Sequence, residues 1–250
     1  MVNIQIASDL HIEYESDSVL DPLDFITPSA DILILAGDIG SFYKFEQLAT
    51  FIQVLCEHFQ FVLYVPGNHE WYIVQGQKPI SLSLLKERMR KIENSISNLY
   101  ILDRNSVLIG NLCIAGATLW SNPQCQVPPF IVRIHGMRTR EYKIKHKQDL
   151  KYIKTMIKYC KNEGYKLFVV THHPPTRKVL DNNSKRKKFS SLYVNDLDYL
   201  INKNNINTWV CGHVHKNFDF ISNGCRIVGN QKGKKKDYIK DYSKKFVITL

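Results

Sequence analysis

The amino-acid sequence predicts an α/β layered fold, and three observations lead to that class. Short apolar runs rich in β-branched residues recur along the chain, and segments with apolar residues at helical spacing lie between them. The runs themselves are continuously apolar, which is typical of strands that are buried on both faces. Regular alternation of such strands with helices predicts stacked layers of sheet and helix.

The predicted elements follow from these patterns in chain order. The runs expected to form strands are residues 4–7, 32–36, 61–65, 112–115, 167–170 and 209–211. Helical spacing is clearest in residues 45–59, where the apolar face consists of Leu48, Phe51, Ile52, Leu55 and Phe59. Residues 81–96 and 148–159 have a similar pattern, so helices are expected between the strands.

The remaining stretches bear on domain organisation. Shorter strand-like pieces near the C-terminus, with Asn223-Gly224 as a hairpin turn signal, predict an antiparallel edge. These pieces are residues 218–221, 226–228 and 245–250. The least regular stretch, residues 121–147, is interpreted as an inserted loop or small cap. Because no repeat or composition break divides the 250 residues, we expect one domain over residues 1–250.

Composition excludes several classes of protein. Hydrophobic residues make up 44% of the chain, and no apolar run approaches the roughly 20 residues of a membrane span. Residues 1–8 lead directly into a predicted strand without a recognisable leader, so we expect a cytoplasmic protein without a membrane partner. The six cysteines lack Cys-x-x-Cys spacing, which indicates packed, reduced thiols rather than a disulfide framework or a zinc ribbon.

The chain is basic, with a formal net charge of +11 and lysine-rich clusters at residues 185–188 and 234–236. A basic surface attracts phosphates and polynucleotides because their counterions are released on binding. The chain is also rich in Asn and Ile, a bias in which Lys is the ordinary surface residue. Nucleic acid is therefore kept as an alternative partner, and the oligomeric state is left open.

Polar side chains follow five of the predicted strands, at the point where each strand ends. They are Asp9 and His11, Asp38, Asn68 and His69, His172 and His173, and His213 and His215. Each motif alone is weak, because polar residues commonly follow strands, but five in order are not expected by chance. Ligands of open α/β sheets bind at this end. Carboxylate, imidazole and amide groups together are typical ligands of Mn, Fe, Zn or Ni rather than of Mg or Ca.

The ordered motifs Asp-x-His, Gly-Asp, Gly-Asn-His-Glu, a histidine after a strand, and Gly-His-x-His resemble those of the calcineurin-like metallophosphoesterase superfamily. The resemblance spans residues 9–215, and every motif is present. It implies a four-layer α-β-β-α sandwich and an enzyme that hydrolyses phosphate esters. It also implies two divalent metal ions as cofactors, drawn from Mn, Fe, Zn or Ni, with Mn favoured.

The resemblance also assigns roles to individual residues. The implied ligands of the first metal are Asp9, His11 and His215, and those of the second are Asn68, His172 and His213. Asp38 would be shared by both ions. His69 matches the family histidine that contacts the phosphate and protonates the leaving group, and the Asn68 amide would also contact the phosphate. In this scheme a metal-bridging hydroxide attacks phosphorus in line with the leaving group.

Differences between this sequence and the protein Ser/Thr phosphatases of the superfamily restrict the range of expected substrates. Those enzymes have an Asp-Arg-Gly after the second motif and another Arg before Gly-Asn-His-Glu. Here Asp38 is followed by Ile-Gly-Ser-Phe, and Pro66 precedes Gly67. The His-His-Pro-Pro at residues 172–175 is more similar to small bacterial and viral phosphodiesterase-like members. A phosphodiester substrate is therefore favoured, with a phosphomonoester as the alternative.

Two further hypotheses are open. A nuclease is motivated by the net charge of +11 and by basic residues in the irregular stretch. A binding protein that has lost catalysis on the same fold is the other, although all eight site residues are present. The residues expected to contact substrate are His173, Arg133, His135, Arg138 and Arg140. The alternative for the four in the irregular stretch is a solvated loop that does not reach the site.

Overall fold

Two β-sheets form the centre of the molecule. The computed structural model describes residues 2–15, 20–181 and 189–250, so the basic cluster at 185–188 lies outside the described residues. The first sheet consists of β1 (Asn3–Ala7), β2 (Ile32–Leu35), β3 (Phe61–Tyr64), β4 (Leu99–Ile101) and β11 (Val247–Thr249). The second consists of β5 (Asn105–Ile109), β6 (Leu112–Ala117), β7 (Lys166–Thr171), β8 (Thr208–Val210), β9 (Phe218–Ser222) and β10 (Cys225–Gly229).

Both sheets are parallel at their centres and antiparallel at their edges. The first has the strand order β11-β1-β2-β3-β4, in which β11 alone runs antiparallel to its neighbour. The second has the order β5-β6-β7-β8-β10-β9, with β5 and β9 antiparallel to their neighbours. The predicted antiparallel edge is confirmed, and Asn223 and Gly224 form the hairpin turn with φ of 49° and 77°.

Among the described residues, three α-helices cover the outer faces of the sheets. They are α1 (Phe45–His58), α2 (Leu82–Ser95) and α3 (Thr139–Glu163). The predicted apolar face of α1 packs with α2 against the first sheet, and α3 packs against the second. Ser81 caps α2 because its hydroxyl oxygen accepts a hydrogen bond from the Leu84 amide.

Alternation along each central strand separates three apolar layers. In β2, Ile34 faces the second sheet, whereas Leu33 and Leu35 face α1 and α2. In β7, Val170 faces the first sheet, whereas Val169 faces α3. Strands buried on both faces have no polar side, which is why their sequences are continuously apolar. The molecule is therefore a four-layer α-β-β-α sandwich, as expected.

One helix boundary and two short strands differ from the sequence-based expectation. The third helix begins at Thr139, so residues 139–147 of the predicted irregular stretch belong to α3. The buried Tyr142, His146 and Asp149 continue one face of this helix, but two of the three are polar and do not mark an apolar pattern. The short strands β4 and β5 were not predicted, and β5 is largely solvent-facing. Among the described residues, no helix is both long enough and apolar enough to cross a membrane.

Candidate metal centre

The polar residues that follow the strands converge at one edge of the sandwich. Strands β1, β2 and β3 run parallel in the first sheet, and β7 and β8 run parallel in the second. Their carboxyl ends therefore lie on the same side, where the following loops meet. The converging side chains are Asp9, His11, Asp38, Asn68, His69, His172, His173, His213 and His215. Each sheet contributes to a site that neither could form alone.

The first group of possible metal ligands contains Asp9, His11 and His215, whose ligand atoms all lie within 4.8 Å of one another. The Nε2 atoms of His11 and His215 are 2.9 Å apart. His215 Nε2 is also 3.4 Å from Asp9 Oδ1. Two imidazole nitrogens and a carboxylate oxygen that face one another are a suitable donor set for a borderline divalent cation.

The second group contains Asp38, His172 and His213. His172 Nε2 lies 3.1 Å from His213 Nδ1 and 3.3 Å from Asp38 Oδ2. The amide oxygen of Asn68 is 3.0 Å from the same His172 nitrogen, so it supplies a fourth donor. Asp38 Oδ2 is also 3.9 Å from His11 Nε2, which places this carboxylate between the two groups.

The hydrogen bonds behind three of these histidines leave their Nε2 atoms directed into the site. His11 Nδ1 lies 3.1 Å from Glu13 Oε1, His172 Nδ1 lies 2.9 Å from the Ala36 carbonyl, and His215 Nδ1 lies 2.6 Å from Asp237 Oδ2. An acceptor at Nδ1 holds a proton on that nitrogen, so Nε2 is the atom through which each of these rings would bind a metal. The histidines are therefore arranged as metal ligands are, and the residues fit a pair of divalent cations.

The backbone at these positions is strained. Five of the residues have left-handed backbone with φ between 49° and 73°, namely Asp9, His11, Asp38, His213 and His215. For a residue with a Cβ, this conformation costs roughly 1 kcal/mol or more. Such strain persists only where the surrounding structure imposes it, and it clusters at functional sites.

Close backbone approach explains the glycine at two of the motifs. A Cβ on Gly212 would lie 2.5 Å from Asp9 Oδ2 and 2.8 Å from Ser8 Oγ. A Cβ on Gly67 would overlap the Asp38 carboxylate. Because glycine has no Cβ, the backbone of one loop can contact the carboxylate that another loop carries.

The electrostatic environment keeps the buried carboxylates of Asp9 and Asp38 ionised. Burial alone would raise the pKa of Asp38, but the nearby imidazoles of His172 and His69 outweigh it and hold the pKa well below its usual range. Burial likewise opposes ionisation of Asp9, and the hydrogen bond from His215 lowers its pKa overall. The site thus concentrates negative charge where it can attract cations.

Comparison with known proteins decides the family. A family model described as calcineurin-like phosphoesterase matches residues 2–217. The chain belongs to the calcineurin-like phosphoesterase family. With its clusters of possible metal ligands, this membership makes the protein a metal-dependent phosphoric ester hydrolase. The family depends on a dinuclear metal centre, and the pair of ligand groups described above agrees with that requirement.

Two of the similar proteins align with nearly the whole chain. The uncharacterized protein L509 of Acanthamoeba polyphaga mimivirus is 27% identical over 257 residues, which cover 92% of this chain and 90% of that protein. The crystal structure of the phosphopantetheinyl hydrolase PptH from Mycobacterium tuberculosis is similar with a TM-score of 0.71. It is 15% identical in sequence and covers 98% of this chain and 94% of that chain, which shows a shared fold.

Glu70 of the phosphoesterase motif Gly-Asn-His-Glu holds the loops together. Its buried carboxylate accepts hydrogen bonds from the amides of Gly67, Asp38 and Ile39 and from the Tyr64 hydroxyl. These donors come from the ends of β2 and β3, so Glu70 sets the separation of the two loops. Glu70 therefore links the loops that carry Asp38 and Asn68, and it belongs to neither group of metal ligands described above.

Glu13 is a site residue that no sequence pattern indicated. It is buried, and its Oε1 lies 2.9 Å from His69 Nδ1 as well as 3.1 Å from His11 Nδ1. Burial alone would raise the pKa of Glu13, but the hydrogen bonds from His11 and His69 lower it to about 2. The only sequence feature that could have indicated Glu13 is its position two residues after His11, and this position does not distinguish it from a surface glutamate.

A cleft of about 460 Å³ opens over the two ligand groups. His173 contributes to its lining but is 1% exposed, and its ring packs 4.1 Å from that of His213. Burial next to His172 lowers the pKa of His173 to about 3, so this imidazole is neutral. Its geometry supports a role in orienting His213, with limited access to substrate.

The four basic residues expected to reach substrate separate into two kinds. Arg133 lines the cleft, where its guanidinium donates to the Tyr14 hydroxyl at 3.2 Å. His135, Arg138 and Arg140 are exposed and do not line it. The intervening Ile134 and Met137 are buried in the apolar layer, which turns these three side chains toward solvent. Substrate contact stays a prediction for these residues, and their positions favour Arg133 over the other three.

Proposed function

We propose that this protein is a dinuclear metal-dependent phosphoesterase that acts preferentially on phosphodiesters. The observation that carries the proposal is the shared position of Asp38 between two groups of ligands. A carboxylate has two oxygens and a charge that offsets neighbouring cations, so one residue can serve both. The convergence of all eight residues of the motifs argues against a protein that has lost catalysis.

The residues that would hold the ions follow from the two groups. Asp9, His11 and His215 would hold the first metal, and Asn68, His172 and His213 the second, with Asp38 shared. Such ions, when bound, polarise phosphoryl oxygens and lower the pKa of water to about 7. The nitrogen-rich donor set supports manganese, iron, zinc or nickel, and we propose Mn as the first metal to test.

His69 is suited to proton transfer at the leaving group. Its Nδ1 faces the Glu13 carboxylate, so its Nε2 is the atom available to the substrate. Burial lowers the pKa of His69, and the Glu13 and Asp38 carboxylates act in the opposite direction by favouring the imidazolium. Asn68 can use its amide oxygen toward the metal while its NH₂ group donates to the phosphate.

The preference for diesters is supported by a second cleft next to the first. A cleft of about 440 Å³ adjoins the one over the metal ligands, and the two share Tyr14, His69, Tyr72 and Arg133. His69 therefore lies between two spaces rather than at the end of one. A phosphodiester has an organic substituent on each side of phosphorus, and two adjoining clefts can accept both.

A direct assay tests this proposal. The protein is loaded with manganese, and turnover is compared for bis(p-nitrophenyl) phosphate, p-nitrophenyl phosphate and single-stranded DNA. We expect turnover of the aryl diester to exceed that of the monoester, and the activity to be lost on chelation. A metal-loaded protein that hydrolyses none of the three would contradict the proposal, and a monoester preference would contradict the choice of substrate.

Nuclease activity is the second candidate function, and the composition of the cleft rim favours it. Arg133, Lys234 and Lys236 line the cleft together with the exposed rings of Phe130 and Tyr193. Cations that track phosphates and aromatic rings that stack on bases are typical of single-strand binding. Cleavage of DNA that is strongly inhibited by added salt would support this candidate, because phosphate contacts release counterions.

A further inference from the structure

Lys234 brings an ammonium group to the centre of the candidate site from a distant part of the chain. Its Nζ lies 3.3 Å from His69 Nε2 and 5.0 Å from the centroid of the Tyr14 ring. It lines the same cleft as Asp38 and Asn68. The lysine stem is half-buried, so the side chain is packed into the site rather than extended over the surface.

The segment that carries Lys234 is held against the metal ligands. Asp237 Oδ2 accepts a hydrogen bond from the Lys234 amide at 2.8 Å and faces His215 Nδ1 at 2.6 Å. Gln231, on the other side, accepts from the His215 amide through its Oε1 at 2.7 Å. Gly233 between them has a φ of 69°. Lys234 is therefore positioned by contacts to a proposed metal ligand on both sides.

The carboxylates of Asp38, Glu13 and Asp237 lie near the Lys234 ammonium, but the lining of the cleft itself is mainly cationic. Among the described residues that line the cleft, Asp38 is the one acidic side chain, whereas Arg133, Lys234 and Lys236 are cationic. Metal ions would add further positive charge. Repulsion between the ammonium and these ions is relieved when an anionic group lies between them, as a phosphoryl group would.

Lys234 also supplies a cation to a site whose sequence motifs lack one. The arginines that clamp phosphate in the related protein phosphatases are absent at both motif positions, where Ile39 and Pro66 stand instead. Lys234 Nζ and His69 Nε2 converge on one small volume next to Asp38 and Asn68. In the free protein the ammonium donates to Nε2. A phosphoryl oxygen that lies beside them can accept from the ammonium in place of Nε2.

We propose that Lys234 is a catalytic residue that contacts the substrate, and that its ammonium donates to a non-bridging phosphoryl oxygen beside His69. The inference rests on the proposed phosphoesterase function and names a cation of that site that lies outside the sequence motifs described above. When the phosphoryl oxygen accepts from the ammonium instead, His69 Nε2 no longer accepts from Lys234 and can contact the leaving group. The ammonium and the imidazole then contact different oxygens of the phosphate ester.

The test compares three variants of the full chain loaded with manganese. Lys234→Met keeps the length and apolar packing of the stem but removes the charge, and Lys234→Arg keeps the charge. Lys235→Met is the matched control, because Lys235 belongs to the same segment but pairs with Glu15 at 2.7 Å and does not line the cleft. The readouts are kcat/KM for bis(p-nitrophenyl) phosphate, the Kd of inorganic phosphate by calorimetry, and metal content.

We expect Lys234→Met to lower kcat/KM by about 10²-fold, since removal of one preorganised donor to a reacting oxyanion has an effect of that order. Its Kd for phosphate should rise at least about tenfold. Metal content should not change, and Lys234→Arg should recover most of both losses. Lys235→Met should remain within about twofold of the wild type.

Two outcomes would overturn the proposal. The first is a failure of the phosphate titration: either Lys234→Met binds phosphate as tightly as the wild type, or calorimetry detects no phosphate binding by the wild type. The second is an equal loss in Lys235→Met, which would indicate general surface charge instead. Absence of ester turnover by the wild type would refute the proposed function alone, since the phosphate titration still reports on Lys234.

Discussion

Asp38 is the residue on which the two proposed metal sites depend. Asp38→Ala removes the carboxylate between the two groups and leaves two cations without a charge to offset them. Loss of a residue that only supports a ligand already costs about 10–100-fold in affinity or activity. We expect a larger fall in turnover and fewer than two equivalents of metal by mass spectrometry.

Asp31→Ala is the control for Asp38→Ala. Asp31 is an exposed carboxylate directly before β2, the strand that Asp38 follows. It should retain both metals and full activity. Two equivalents of metal and near-normal turnover in Asp38→Ala would show that the ligand assignment is wrong.

His69 is predicted to affect proton transfer without affecting the metals. General acid catalysis contributes roughly 10²–10⁴-fold. We expect His69→Asn to keep its metal content and to lose more activity on a diester with an alkoxide leaving group than on one that releases p-nitrophenolate. The measurement is kcat for the two substrates under saturation. Equal losses would assign His69 to positioning of the phosphate instead.

A single site residue could be predicted from the sequence when it directly follows a strand. Asp9, Asp38 and His213 follow apolar strands, so their place at the sheet edge was predictable from pattern alone. Glu13 and Lys234 reach the site through tertiary contacts that no local spacing encodes. Such residues can be found only when the neighbouring loops have been placed in space.

Among the elements, the segment between β6 and α3 contributes one charged side chain, that of Arg133, to the lining of the cleft. Arg133→Gln removes a guanidinium from the rim, and a hydrogen bond to a charged group contributes about 1.5–3 kcal/mol. Because Arg133 is partly exposed, we expect only about a tenfold rise in KM for diesters, with kcat and metal content unchanged. Steady-state kinetics on bis(p-nitrophenyl) phosphate provide the measurement.

Arg138→Gln is the natural comparison for Arg133→Gln, since it removes the same group from an exposed position just before α3. Its KM should equal that of the wild type. Equal effects of the two substitutions would indicate a diffuse field rather than a contact. The sequence could not distinguish these arginines, because the burial of Ile134 and Met137 decides which way each one faces.

For the molecule as a whole, metal binding should stabilise the packing of one sheet on the other. The proposed ligands come from both sheets, so the ions would connect the two across their shared apolar layer. A ligand at 100 times its Kd stabilises the native state by about 2.7 kcal/mol. In a protein of this size that corresponds to a rise in Tm of roughly 5–10 °C.

Thermal unfolding with manganese and with excess chelator measures this stabilisation. The chelated protein should unfold at the lower temperature, and Asp38→Ala should show a much smaller difference between the two conditions. Identical transitions for the wild type with and without metal would contradict a centre that joins the sheets.

The layers of the architecture could be predicted from the sequence, but the order of the strands could not. Continuous apolar runs such as residues 32–36 and 167–170 reveal strands buried on both faces, and hence layers. The order of strands within each sheet was not accessible, because runs of Ile, Leu and Val do not specify which neighbour they pair with. The pairing of β1 with β11, for example, joins residues 3–5 to residues 247–249.

The left-handed backbone at the ligand positions means that selection for stability and selection for activity oppose each other there. Glycine adopts this conformation without strain, whereas alanine does not. In metal-free protein, we therefore expect Asp38→Gly to exceed Asp38→Ala in the free energy of unfolding by about 1 kcal/mol. Urea unfolding is the measurement, and at Asp31, whose φ is not positive, the order should be reversed or level.

The same order of stability at both aspartates would remove backbone strain as the explanation. If the strain is real, a screen of random variants for stability alone would repeatedly enrich glycine at these positions, and every protein it recovered there would be inactive. Persistence of Asp and His at such positions in a lineage would then be a record of continued use of the enzyme.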